Sequence, residues 1–176
     1  MELPGTAYLY TLATVSISFV GFSALLLVFR QSMGGALTRY DTYFTLTFIQ
    51  VGFLVTAGAL IPPLFALFGW PESRVWAVSD VSIALPVLAF TASVPSRRRA
   101  ATGTPVPAFV WTLLAVQAGS ALALLSGAAG VLPAGGAAVL ASALTAILFS
   151  SGVAYLLALN VILPELTETD PRRPGK

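Results

Sequence analysis

Five long apolar runs constrain this chain more than any other feature. They occupy residues 7–29, 42–68, 75–94, 108–130 and 135–163. At about 1.5 Å of rise per helical residue, each can cross the ~30 Å hydrocarbon core of a bilayer. The alternative of a soluble domain fails on charge. Only 9% of the residues are charged against 57% hydrophobic, whereas soluble domains carry roughly 25% charged residues. The sequence therefore predicts an all-α integral membrane protein, a compact bundle of five transmembrane helices.

The connections sort by charge. Residues 30–41 carry Arg30 and Arg39, residues 95–106 carry Arg97, Arg98 and Arg99, and the tail carries Arg172, Arg173 and Lys176. Of the nine basic residues only Arg74 falls in the alternate connections. Because cytoplasmic loops are enriched in Lys and Arg, this pattern puts the N-terminus outside and the C-terminus in the cytoplasm, in a bacterial-type inner membrane. Residues 1–164 form one five-helix domain on this reading, and 165–176 a polar cytoplasmic tail. The stretch "GVLPAGG" (130–136) makes the last two spans an antiparallel pair. Pro62 and Pro63 leave residues 62–69 as either a kinked extension of the second span or an interfacial segment. Trp70, Trp76, Tyr8 and Tyr10 fall at the outer level, as an aromatic belt would.

Small residues let membrane helices approach closely. On the fifth span Ala134, Ala138, Ser142, Ala146, Ser150, Ala154 and Ala158 recur every four residues, which predicts a central helix. On the fourth, Thr112, Gly119, Ala123, Ser126 and Gly130 share a stripe that should face its neighbours, with Leu114, Ala118, Leu122 and Leu125 toward lipid. Thr11, Thr14, Ser18 and Gly21 make the equivalent stripe on the first span, and Thr45, Gly52, Thr56 and Ala59 on the second.

The polar groups inside the spans are the candidates for function. Asp80 stands one-third of the way along the third span, and ionisable groups at membrane depth mark either permeation paths or hydrogen-bonded helix fasteners. Tyr10, Thr11, Thr14, Ser126 and Ser142 are expected at its level as donors. Gln50 and Gln117 lie at similar depth and are expected to bond one another. Arg97, Arg98 and Arg99 fix orientation, or attract anionic lipid headgroups.

Cysteine and histidine are absent, which removes disulfides, haem ligation and the commonest zinc sites. No nucleophile–base pair, phosphate-binding glycine loop or metal-ligand cluster occurs. No enzyme activity, cofactor or metal is expected, and no nucleic acid, because the basic residues form no basic domain. The expected partners are the lipid bilayer and either further copies of the chain or another membrane subunit. The function expected first is a homo-oligomeric channel or carrier for a small ion or solute. A non-catalytic accessory or scaffold subunit is the rival, and a small lipid or isoprenoid-like ligand in a groove is a third reading for which no residue speaks.

Overall fold

The computed structural model describes residues 3–32, 38–132 and 136–168, the side chains of 30 and 159–168 excepted. Five helices follow one another: α1 (Thr6–Ser32), α2 (Arg39–Ala66), α3 (Glu72–Thr102), α4 (Ala108–Ala128) and α5 (Ala137–Glu168). Each is long and apolar enough to cross a membrane. The polar tail expected from 165 onward lies outside the described residues beyond 168.

Local chemistry sets the helix ends. A capping box opens α2: the Asp41 N–H donates to Thr38 Oγ1 at 3.1 Å, and the Thr38 N–H donates to Asp41 Oδ2 at 2.9 Å, which satisfies two otherwise orphaned donors. Residues 62–66 continue α2 through both prolines, so only the turn at 67–69 is left of the segment in question. At the other end of the bundle Gly103 closes α3 with φ +66°, its N–H bonded to the Arg99 carbonyl at 2.9 Å.

That third helix is longer than the sequence leads one to expect. The third apolar run ends at residue 94, yet α3 continues through Pro95 to Thr102. Three side-chain hydroxyls bond carbonyls of the turns around it. Ser93 donates to the Phe90 carbonyl at 2.7 Å, Ser96 to the Ser93 carbonyl at 2.9 Å, and Tyr43 of α2 to the Val94 carbonyl at 3.4 Å. Side-chain hydroxyls and neighbouring helices are what make proline tolerable inside a membrane helix. Arg97, Arg98 and Arg99 consequently ride on the last turns of α3 rather than in a loop.

The helices pack in sequence order, and α2 and α5 also touch across the middle. The centre is shared between these two rather than held by α5 alone. Val55 and Ala59 of α2, Ala84 of α3, Ala121 and Leu124 of α4, and Leu140 and Leu144 of α5 fill the core. Gly58 brings α2 close to Leu144 and Ile83.

Small-residue stripes do not always face the core. On α4 the buried positions are Leu114, Gln117, Ser120, Ala121 and Leu124, while Gly119 is exposed and Ala123 half-buried. The large residues and not the glycine stripe fill the space beside α3 and α5. On α1, Thr11, Thr14, Ser18 and Gly21 all point outward, and Leu9, Leu12, Ser16 and Val20 point in. The row on α5 winds as its four-residue spacing requires: Ala138 and Ser142 are exposed, Ala146 and Ala154 intermediate, Ser150 and Ala158 buried. Trp76 also leaves the expected belt. It is buried against Gly136, with Nε1 donating to Glu72 at 3.1 Å.

The α2 stripe does pack, and Gly52 shows how tightly. Ser16 of α1 donates to the Gly52 carbonyl at 2.8 Å, and a Cβ at Gly52 would overlap Val20 Cγ2. The Gly52→Ala variant is expected to lose about 1–3 kcal/mol through overpacking. Adding Val20→Ala should restore most of that loss. Thermal unfolding of the two single variants and the double in detergent checks it, and a loss that the second substitution leaves intact would place the strain elsewhere.

Candidate functional site

Polar and charged side chains are buried in two separate places. The first is Asp80, in the N-terminal third of α3, where it is 1% exposed. Neither of its carboxyl oxygens has a hydrogen-bond partner among the described residues, and the adjacent Ser79 hydroxyl has none either. Gly127 of α4 makes the space: a Cβ there would stand 3.1 Å from Asp80 Oδ2. The hydroxyls expected to serve Asp80 are turned to other work. Thr11 donates to the Ala7 carbonyl, Thr14 to that of Tyr10 and Ser126 to that of Leu122. Tyr10 and Ser142 are exposed. A hydroxyl with no partner within reach bonds back to its own helix, four residues earlier.

The second place lies roughly 15 Å away along the bundle, judged by the rise of α4 from Gln117 to Gly127. There α2, α3, α4 and α5 enclose a cavity of about 280 Å³. Its wall is apolar and aromatic, built from Phe44, Phe48 and Val51 of α2, Phe90 and Val94 of α3, and Leu114 of α4. Phe48 meets Tyr155 edge-on with centroids 4.8 Å apart, and Phe44 lies 5.9 Å from Phe48, so an aromatic cluster stiffens one side. Phe109 and Leu157 also line the cavity and are themselves exposed, which puts an opening between α4 and α5 toward the arginine-bearing end.

Gln117 sits at the deep end of this cavity. It does not meet Gln50. Its Oε1 accepts from Thr91 at 3.4 Å and its Nε2 donates to Ser151 at 3.3 Å, and Ser151 in turn donates to the Ile147 carbonyl at 2.8 Å. Gln50 is on the exposed side of α2, where its Oε1 accepts from Arg97 at 2.8 Å. Ser150 and Ala154 line the cavity; Ala138, Ser142 and Ala146 face a shallow outer groove with Tyr8 and Thr145 instead.

The three arginines part company. Arg97 rests over the Phe90 ring at 5.2 Å, Arg99 is exposed, and Arg98 is turned inward, 8% exposed, onto the cavity. Its guanidinium carbon stands 5.8 Å from the centre of the Phe44 ring, within the range of a cation–π contact.

Sequence reasoning picked out Gln117 and Arg98 without their surroundings, and it missed Ser151 and the aromatic wall. The signal for Arg98 was its spacing. Asp80, Ala84, Val87, Thr91, Val94 and Arg98 alternate steps of four and three, the pattern of a packed seam, and all six are buried. Among the described residues no group of acidic, His or Cys side chains could hold a metal.

The two polar places predict opposite responses. Asp80→Asn puts a neutral amide in place of the carboxyl group and removes no hydrogen bond seen among the described residues, so the unfolding temperature in detergent should hold or rise. Gln117→Leu strands Thr91 and Ser151 and should cost about 1 kcal/mol, the usual scale for such contacts in membranes. A marked fall for Asp80→Asn would mean that the acid has a partner. No protein-family model matches the chain, and comparison with curated proteins and with solved structures gives no match.

Proposed function

We propose that this chain is an integral membrane protein that holds a small, largely apolar solute inside a single protomer, as a carrier or binding subunit. The observation that carries this is the cavity of about 280 Å³ framed by four helices, close to the ~300 Å³ lower bound of small-molecule sites. It belongs to the carrier half of the sequence-based expectation and needs no second copy to form. A channel built around Asp80 has less support. The acid is sealed from the cavity, and the α1 hydroxyls nearest its level are engaged with their own backbone.

The same reading sets the chain in a bacterial-type inner membrane with the arginine-bearing end of α3 cytoplasmic. The cavity then opens in the inner leaflet.

An accessory or self-associating subunit is favoured by a different observation. The outward stripe of α1 and the outer small-residue face of α5 adjoin, joined by a hydrogen bond of 2.7 Å between Tyr8 and Thr145. The chain has no cysteine, so a Ser142→Cys variant carries one thiol. Oxidation in membranes should cross-link it into dimers if this face meets a second copy, and should leave monomers if it faces lipid.

The binding reading is tested with a photoactivatable decanol. It should label peptides of α2, α4 and α5 that line the cavity, saturably, with unlabelled decanol as competitor. Ala154→Phe, which fills the cavity, should abolish that labelling while the protein stays folded. Diffuse, non-saturable labelling of outward faces in the unsubstituted protein would end the proposal.

A further inference from the structure

We infer that the solute is a single-chain amphiphile with one acidic headgroup, a medium-length alkyl carboxylate or its isoprenoid equivalent, whose head pairs with Arg98. The inference rests on the binding reading and names the class of ligand. Its ground is the uneven distribution of unmet polar capacity around the cavity. At the deep end Gln117, Ser150 and Ser151 are satisfied by one another, by Thr91 and by the Ile147 carbonyl. They offer a ligand little. Of the side chains that line the cavity, Arg98 alone carries a buried polar atom, Nε, with no hydrogen-bond partner among the described residues.

A guanidinium stays charged at any physiological pH. Buried charges are ordinarily paired. The Phe44 ring lies against the cation, 5.8 Å from its central carbon, and the Nε edge of the hydrogen-bonding fork has no partner among the described residues. A carboxylate matches that fork with two parallel bonds.

Position and size narrow the ligand further. Arg98 lies about 10 Å nearer the helix end than Thr91, so a molecule with its head on Arg98 extends its other end down the aromatic wall toward Gln117. Polar at one end and apolar along its length, such a site complements an amphiphile and not a free anion. The volume equals that of roughly nine liquid waters at ~30 Å³ each. One medium chain fills it, and a two-chain phospholipid does not fit.

The experiment compares photoactivatable decanoic acid with photoactivatable decanol of the same chain on the detergent-purified protein at pH 8, where the carboxyl is ionised. In the unsubstituted protein the acid should reach half-maximal cavity labelling at a concentration at least tenfold below the alcohol. Arg98→Gln should bring the acid to the alcohol's level and leave alcohol labelling unchanged, which also shows that the variant is folded. Arg98→Lys should keep part of the preference. Equal labelling by acid and alcohol, or an acid preference that survives Arg98→Gln, would overturn the inference while leaving the binding reading in place. Failure of both probes to label the cavity would remove the binding reading itself, and this inference with it. Displacement of the acid probe by an anionic phospholipid and not by unlabelled decanoic acid would overturn the single-chain assignment in favour of a bilayer headgroup.

Discussion

In hydrocarbon a backbone group that is not hydrogen-bonded within the protein has nothing else to bond. That constraint governs this molecule more than any particular side-chain contact. It holds α2 helical through Pro62 and Pro63 and α3 helical through Pro95, where three side-chain hydroxyls bond carbonyls of the neighbouring turns. It also absorbs most of the hydroxyl side chains: Thr11, Thr14, Ser18, Ser23, Ser126 and Thr145 each bond a carbonyl four residues earlier. What looks from composition like a protein rich in intramembrane polar groups keeps few of them free.

Two groups with atoms left unpartnered among the described residues, Asp80 and Arg98, stand toward opposite ends of α3. Asp80 is packed against Gly127 in a place with no room for a ligand, and Arg98 faces a place that has room. A carboxyl group buried without a partner works against stability unless something neutralises it, and a Cβ at Gly127 would stand 3.1 Å from Asp80 Oδ2, which marks a close contact. The guanidinium is the better candidate for binding because an open volume adjoins it.

The sequence made the helix number and approximate limits plain, because runs of apolar residues of bilayer length have one physical outcome. Faces were harder. On α4 the glycine stripe suggested the packed side, but lipid is as good a neighbour for leucine as another helix is, so hydrophobicity could not say whether Leu114 or Leu122 turned inward. The structure buries the first and exposes the second. Gln117 was visible as polar and its partners were not, since Thr91 and Ser151 belong to helices whose rotation the sequence leaves open. Arg98 was hidden by its company: in a run of three arginines at a presumed helix end, all three looked like topology markers. Only the continuation of α3 through Pro95 separates them onto different faces.

That continuous helix also acts as a measure. Arg74 and Arg97 bracket the apolar part of α3, about 34 Å apart along the axis at ~1.5 Å per residue, a few ångströms more than an average hydrocarbon core. In a bilayer of matching thickness both charges rest at headgroup level, and the mouth between Phe109 and Leu157 opens where acyl-chain termini of the surrounding lipids do not reach but their carboxyl-end segments do. A thicker membrane would draw one end of α3 inward, and the arginine cluster resists that displacement more strongly than the single charge at the other end. Thickness mismatch would therefore be taken up on the Arg74 side, leaving the depth of the cavity in its leaflet constant from one membrane to another.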